Sequence, residues 1–155
     1  IPIELTDVHK LVTDAIASID PPSTFQIEIA ANLPRLTTRR LLLKQVFFNL
    51  INNAIEHHPS SHGTVKITVA DCGDRYEFAV TDDGQGIEPQ YHEKIYTIFQ
   101  TLQARDTHES TGVGLAIVKK IVETEGGTIG LKSSWGQGST FSFTWLKQPI
   151  ELGFW

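Results

Sequence analysis

The sequence predicts an α+β fold, a two-layer sandwich in which helices pack on one face of a mostly antiparallel or mixed sheet. Two pairs of alternating apolar and polar runs, TVKITVAD with RYEFAVTD and TIGLKSS with STFSFTWL, are each joined by a short link and predict antiparallel hairpins. Helical patterns separate the hairpins without a regular strand–helix–strand alternation, which disfavours a doubly wound parallel sheet. The sequence also lacks the phosphate-loop pattern GxxxxGK[ST], so a nucleotide site must be built in another way.

Length and composition indicate one globular domain. The chain has 155 residues, 40% of them apolar and 20% charged, with a net charge of −5 that argues against a nucleic-acid partner or an anionic membrane surface. Its single cysteine, Cys72, excludes an internal disulfide and fits a reducing, cytoplasmic location. We expect a soluble domain over 1–147 and a C-terminal tail over 148–155. The start, without methionine and in mid-pattern, suggests a fragment of a longer protein, although processing would produce the same start.

A helix, a strand and a second helix are predicted in the N-terminal part of the chain. Apolar residues recur at helical spacing after Thr6, the predicted N-cap, until Pro21 and Pro22 end the pattern. The stretch FQIEIA, at 25–30, alternates with the period of a half-buried strand. A longer helix is predicted over about 38–58. The later elements are a hairpin of 64–71 and 75–82, a short helix near 88–95, an irregular stretch 96–111, a helix over about 112–125, and a hairpin of 128–134 and 139–146.

The second helix carries three asparagines, which are poor helix formers. On a helical wheel, one apolar face opposes a polar stripe that contains Asn49, Asn52 and Asn53. For Asn52 a solvated position is the preferred interpretation. Asn49 and Asn53 lie one turn apart, and Lys, Glu or Gln would serve a merely solvated helix better. An amide oxygen suits Mg²⁺, which keeps most of its ligands from water and phosphate.

Two glycine-containing motifs are candidates for nucleotide contacts. In VTDDGQGI, Asp82 ends a strand, where a carboxylate can accept a hydrogen bond from an exocyclic amine; an ordinary acidic turn is the alternative. In STGVGLAIVKKIVE, glycines precede a helix whose free N–H groups can bind phosphate, although such glycines more often form only a tight connection. The polar stretch before that helix predicts a lid, in which Arg105 and His108 either reach a nucleotide or remain solvated.

The order of these motifs resembles the ATP-binding catalytic domain of sensor histidine kinases, in the superfamily shared with gyrase, the Hsp90 chaperones and MutL. LKQVFFNLINNAIEHH is similar to the asparagine box of that family, DDGQGI to its first glycine box, and STGVGLA to its second. The segment from Tyr96 to Phe99 is similar to its phenylalanine box, and GQGSTFSF to its last glycine box. The stretches IFQTLQARD and TGVGLAIVKKIVE resemble the phytochrome-type kinases most.

The resemblance implies ATP and Mg²⁺ as cofactors and assigns their contacts. Asn53 would hold Mg²⁺ with help from Asn49, Asp82 would bind the adenine amine, and Gly84 and Gly86 would shape the adenine floor. Further nucleotide-binding residues implied by the resemblance are His57, Ile87, Tyr96, Phe99, Arg105, Thr111, Gly112, Val113, Gly114, Leu115 and Thr140.

Departures from the family pattern leave alternatives open. Glu56 stands where the family usually has a basic residue near the phosphates, so a regulatory module that binds nucleotide without transferring phosphate is one alternative. Ser110 replaces the first glycine of the second glycine box, and Glu125 stands where a histidine is common. A superfamily ATPase is the other alternative, but such enzymes place a water-activating glutamate at position 49, and Asn49 cannot accept that proton.

The phosphate acceptor is not found in this sequence. A sensor kinase phosphorylates a histidine followed by an acidic residue and then by a proline, and none of the six histidines has this context. His57 is expected to line the nucleotide pocket, and the other histidines are expected at the surface. We therefore expect the dimerisation and phosphoacceptor helices of the same parent protein, and a downstream response regulator, as partners of a monomeric fragment.

Overall fold

The computed structural model describes residues 1–97 and 114–151. A two-stranded antiparallel sheet, a five-stranded mixed sheet and three α-helices form its described part. In chain order the elements are β1 (Glu4–Asp7), α1 (Val8–Ile19), β2 (Phe25–Ile29), β3 (Arg35–Thr38), α2 (Arg40–Glu56), β4 (Gly63–Asp71), β5 (Arg75–Asp82), α3 (Gly114–Thr124), β6 (Ile129–Ser133) and β7 (Ser139–Leu146). Two short 3-10 turns, Pro89–Tyr91 and Lys94–Tyr96, replace the short helix predicted near 88–95.

The larger sheet has the strand order β2-β4-β5-β7-β6. Strands β2 and β4 pair in parallel, whereas the other three pairs are antiparallel and include both predicted hairpins, so the sheet is mixed. Along β7, Phe141, Phe143 and Trp145 are buried and alternate with half-buried polar residues. The helices therefore cover one face of the sheet, and the predicted α+β sandwich is confirmed.

The smaller sheet was not predicted. Strands β1 and β3 pair antiparallel, with Leu5 opposite Thr37. As a result α1 begins one residue later than predicted: Thr6 belongs to β1, and the side chain of Asp7 caps the helix by accepting from the Lys10 N–H at 3.3 Å. Likewise Thr38 ends β3, where it pairs with Glu4, and does not start α2. Its hydroxyl accepts a hydrogen bond from the buried Trp145 indole at 2.9 Å.

Helix α2 lies at the centre of the core, and its buried face is the one predicted from the helical wheel. Phe47 packs edge-on against Phe78 of β5 and Phe143 of β7, with ring centroids 5.3 Å apart in both pairs. The buried residues of α2 are Leu43, Val46, Phe47, Leu50, Ile51 and Ala54. This packing fixes the rotation of α2 about its axis. The asparagines of α2 therefore lie outside its buried apolar face.

A buried ion pair joins the start of α2 to the end of α3. Arg39 Nη1 donates to Glu125 Oε1 at 3.0 Å, and each side chain is only 4% exposed. Arg39 Nη2 also donates to the carbonyl oxygen of Ile150, 2.6 Å away. Glu125 stands where the family that the sequence resembles commonly has a histidine. In this chain it has a structural partner, Arg39.

No helix within 1–97 and 114–151 is long and apolar enough to cross a bilayer.

Candidate nucleotide site

Asp82 lies at the last position of β5, on the face of the sheet that the helices cover. It continues the alternation of the buried residues Phe78 and Val80, and its Oδ1 accepts the Gly84 N–H at 2.9 Å. Burial raises the pKa of Asp82 above its ordinary value, although the backbone N–H groups of Gly84 and Ser139 oppose that rise. A ligand N–H that donates to this buried carboxylate replaces a hydrogen bond from water, so the interaction lowers the free energy of the complex.

Two glycines let the β6–β7 turn pack directly onto the end of β5. Gly138 has a φ of 77°, and a Cβ at this position would collide with the carbonyl oxygen of Asp82. Gly86 has a φ of 80°, and its Cβ would collide with the carbonyl oxygen of Ser134. Both positions combine a left-handed backbone with a close approach to another backbone, so the turn around Asp82 requires glycine on both sides.

Ser133 links the turn after Asp82 to the last hairpin. Its hydroxyl accepts the Ile87 N–H at 2.7 Å and lies 2.9 Å from the carbonyl oxygen of Gly138, to which it donates. Since that donation uses the only hydroxyl proton of Ser133, the Ser139 hydroxyl, 2.9 Å away, is the donor in the pair of serines. Ile87, a predicted site residue, is thus held in place by its backbone while its side chain packs against the core.

The structure corrects the prediction for Thr140. Thr140 pairs with Thr81, their hydroxyl oxygens are 3.0 Å apart, and both lie on the open face of the sheet, opposite to the face of Asp82. Ser139, which is 7% exposed and directly opposite Asp82 in the ladder, lies on the helix-covered face instead. Neighbouring residues of a strand point to opposite faces, so an error of one position reverses the assignment. Of the two neighbours, Ser139 is therefore the one whose side chain lies on the face of Asp82.

The asparagines of α2 lie beside the start of α3. Asn49 Nδ2 donates to the carbonyl oxygen of Gly114 at 3.4 Å, and Asn49 Oδ1 accepts from Gln45 at 3.1 Å. Asn53 is half-buried, and within the described ranges its side chain makes no hydrogen bond, which leaves the amide oxygen available to a ligand. Asn52, predicted to be solvated, is also half-buried, whereas Glu56 is exposed. Neutral amide oxygens fit Mg²⁺, which needs few protein ligands when phosphates supply others.

Tyr96 fills the space between α3 and β7. Its ring lies edge-on to Phe141, with centroids 6.5 Å apart, and the Lys119 Nζ sits 5.2 Å from its centre. Burial raises the pKa of Tyr96 to about 12. Leu115, in the first turn of α3, packs against the same core. Tyr96, in the described part of the predicted phenylalanine box, therefore packs between α3 and β7.

Some predicted contacts lie outside the described residues. They are Phe99, Arg105, Thr111, Gly112 and Val113, together with all but the first two positions of the predicted lid. His57 is the C-cap of α2, where its N–H donates to the carbonyl oxygen of Asn53 at 3.1 Å, and it is half-buried. Its predicted contact with a nucleotide remains a prediction.

His58 was predicted at the surface, and this expectation was wrong. Its side chain is only 7% exposed, and its Nε2 lies 2.9 Å from Asp83 Oδ1. The two residues are 25 positions apart in the chain, and no local pattern predicts their pairing. The adjacent aspartates thus have different environments, with Asp82 against the helices and Asp83 against His58.

Comparisons with known proteins identify the family and the fold. A family model described as histidine kinase-, DNA gyrase B-, and HSP90-like ATPase matches residues 38–150. Phytochrome-like protein Cph1 of Synechocystis sp. is 41% identical over 145 residues, which cover 92% of this chain and 19% of that protein. Sensor histidine kinase ZraS of Escherichia coli is 34% identical over 155 residues, covering 97% of this chain and 32% of that protein.

A solved structure shows the same fold. The catalytic domain of histidine kinase ThkA matches with a TM-score of 0.75 and 28% identity, covering 95% of this chain and 97% of that domain. The resemblance stated from the motifs, including the phytochrome-type kinases, is therefore confirmed. The chain spans about a fifth of the phytochrome-like relative and about a third of ZraS.

Proposed function

Because the chain belongs to the family of histidine kinase-, DNA gyrase B- and HSP90-like ATPases, we propose that it binds ATP with Mg²⁺ and transfers the γ-phosphoryl group to a histidine. That histidine lies on the dimerisation helices of the same parent protein, outside this chain, and a response regulator receives the phosphoryl group from it. The domain works in the cytoplasm.

The observation that carries the proposal is the position of Asp82. A desolvated carboxylate ends β5 on the helix-covered face, its neighbouring turn requires glycine, and Ser139 lies opposite it. An adenine amine is a donor that fits a buried acceptor of this kind. The same face carries α2, whose Asn49 contacts the start of α3 at Gly114. One face of the sheet therefore carries the proposed base contact, at Asp82, and the proposed phosphate contacts, near Asn49 and Gly114.

The residues of α2 favour phosphoryl transfer over hydrolysis. Asn53 would hold Mg²⁺ through its amide oxygen, and Asn49 would keep that turn of α2 close to the phosphate-facing end of α3. When bound, Mg²⁺ neutralises charge on the phosphates. Asn49 cannot take a proton from water, because an amide is not a base near neutral pH, and its oxygen already accepts from Gln45. Phosphoryl transfer requires positioning and charge stabilisation more than a base on this chain.

Replacing Asn53 by alanine should remove the Mg²⁺ dependence of ATP binding. We expect ATP affinity measured with Mg²⁺ to fall by about 10- to 100-fold, the range seen when support for a metal ligand is lost. Affinity measured without Mg²⁺ should change little. Calorimetric titration of both forms provides the measurement, and Asn52→Ala, one position away on the same helix, is the matched control. Equal Mg²⁺ dependence in Asn53→Ala and the unmodified chain would contradict the assignment.

A binding-only regulatory module is the second candidate, and exposed Glu56 favours it. A carboxylate at the end of α2, near the proposed phosphate region, opposes a triphosphate. Glu56→Lys should tighten ATP binding by roughly fivefold, the effect of about 1 kcal/mol of exposed charge interaction. Phosphotransfer present only in the Glu56→Lys variant would favour the binding-only module. Phosphotransfer already present in the unmodified chain, and only moderately faster in Glu56→Lys, would favour the kinase.

A further inference from the structure

His58 joins three elements next to the proposed base-binding carboxylate. It follows the end of α2 by two residues, and its Nε2 lies 2.9 Å from Asp83 Oδ1. The same carboxylate oxygen accepts the N–H of Thr64, also at 2.9 Å, at the start of β4. Asp83 itself directly follows β5. One carboxylate therefore connects the end of α2, the start of β4 and the end of β5.

The hydrogen bonds fix the tautomer of His58. The Ser60 N–H donates to His58 Nδ1 at 3.1 Å. A backbone amide can only donate, so Nδ1 is the acceptor and Nε2 carries the proton that is donated to Asp83. The ring is also fixed from the side by Phe25, whose centroid lies 5.4 Å away at an interplanar angle of 89°. Its orientation is therefore determined by contacts on three sides.

The ring lies close to the turn that holds Asp82. A Cβ at Gly84 would be 3.7 Å from His58 Cδ2 and 3.0 Å from Asp82 Oδ1. On the other side, a Cβ at Gly63 would be 2.8 Å from His58 Cδ2 and 2.9 Å from Asp83 Oδ1. The ring therefore lies beside the turn, and its hydrogen bond to Asp83 ties it to the residue directly before Gly84, whose N–H binds Asp82.

The charge of Asp83 is stabilised by the same contacts. Partial burial acts to raise the pKa of Asp83, but the Thr64 N–H and His58 together outweigh it and the pKa is lowered. Asp83 therefore remains an ionised acceptor that binds both donors. Its anchored side chain extends the β4–β5 pairing one residue beyond the last backbone pair, Val65 with Asp82.

We propose that His58 is a positioning residue for base recognition, which acts through Asp83 to hold Asp82 and its glycine turn next to the segment that follows α2. The proposal rests on the proposed function and adds to it a residue that contacts neither base nor phosphate. Without the imidazole, Asp83 loses one of two donors and the turn loses its link to the segment that follows α2. Recognition of the adenine amine then suffers more than binding of the triphosphate.

The test compares ATP with inosine triphosphate, which lacks the exocyclic amine. His58→Ala should reduce the affinity ratio of ATP to inosine triphosphate by about fivefold, within the coupling range of contacting residues, chiefly through weaker ATP binding. His58→Gln places an amide N–H near the position of Nε2 and should restore the ratio to within about twofold. His62→Ala, an exposed histidine in the same loop, should behave as the unmodified chain.

Two outcomes would overturn the proposal. The first is an unchanged ratio in His58→Ala, including an equal loss of both nucleotides in His58→Ala and His58→Gln, which indicates a merely structural role. The second needs no variant: nitrogen NMR of the unmodified chain at alkaline pH should show the proton of His58 on Nε2, and a proton on Nδ1 would contradict the hydrogen bonds. If the unmodified chain binds ATP and inosine triphosphate equally, both the proposed function and the role of His58 are contradicted. If the unmodified chain prefers ATP, the variants test only the role of His58.

Discussion

Replacing Asp82 by asparagine is expected to weaken ATP binding by about 10- to 150-fold, corresponding to the roughly 1.5–3 kcal/mol of a hydrogen bond to a charged group. Asp82 Oδ1 already accepts the Gly84 N–H. An asparagine that keeps this bond turns its NH₂ group toward the adenine amine, so that two donors face each other. An asparagine with the opposite orientation leaves the Gly84 N–H without its acceptor. Calorimetric titration with ATP measures the loss.

The thermal midpoint of Asp82→Asn distinguishes a loss of ATP binding from a loss of folding. The pKa of Asp82 is raised in the folded chain by burial, so its ionised form is less favourable there than in the unfolded chain. Above the ordinary aspartate pKa the carboxylate therefore destabilises the fold, and neutral asparagine should retain or raise the thermal midpoint. Asp71→Asn, at the far end of the same hairpin, is the control and should leave ATP affinity unchanged. Unchanged ATP affinity in Asp82→Asn would remove Asp82 from the site.

Glu125→Leu is expected to lower the free energy of unfolding by about 3–5 kcal/mol, because it leaves the buried guanidinium of Arg39 without its carboxylate. This is a large part of the roughly 5–15 kcal/mol that stabilises a typical domain. The double variant Arg39→Met with Glu125→Leu should recover most of the loss, since two apolar side chains replace the pair of charges. Urea unfolding followed by the fluorescence of buried Trp145 measures both variants.

An exposed ion pair gives the matched control. Arg35 Nη2 lies 3.6 Å from Asp7 Oδ2, and the Arg35 side chain is 74% exposed. Arg35→Met should change the free energy of unfolding by less than about 1 kcal/mol. If the double variant proves no more stable than Glu125→Leu alone, the loss of stability in Glu125→Leu does not come from the charge left on Arg39.

The Arg39–Glu125 pair joins the start of α2 to the end of α3. For this reason Glu125→Leu should also weaken ATP binding at temperatures where the variant remains folded.

The elements that the sequence predicted correctly are those with long, regular patterns. The buried face of α2 follows from a helical period sustained over several turns, and the strands of both hairpins follow from alternation over five or more residues. Strands β1 and β3 have only four residues each, and their pairing is non-local. A pattern of that length does not distinguish a strand from the start of the helix that follows it.

The position of a residue in the fold was predictable where one motif supplies it, and contacts between distant residues were not. The placement of Asp82 at a strand end followed from VTDDGQGI alone. The partners Arg39 and Glu125 are 86 positions apart, and only the folded chain brings them together. The face of Ser139 could have been predicted, because Ser139 shares the alternation of the buried residues Phe141, Phe143 and Trp145, whereas its position opposite Asp82 depends on the register between strands.

Transfer of phosphate from ATP labelled on its γ-phosphoryl group tests the central claim most directly. The unmodified chain is mixed with the histidine-bearing helical domain of its parent protein, with and without Mg²⁺. The account predicts an acid-labile, alkali-stable label on that domain, dependent on Mg²⁺ and absent with Asp82→Asn. Binding of ATP without label transfer, or steady release of phosphate by the isolated chain that is lost on Asn49→Ala, would contradict it.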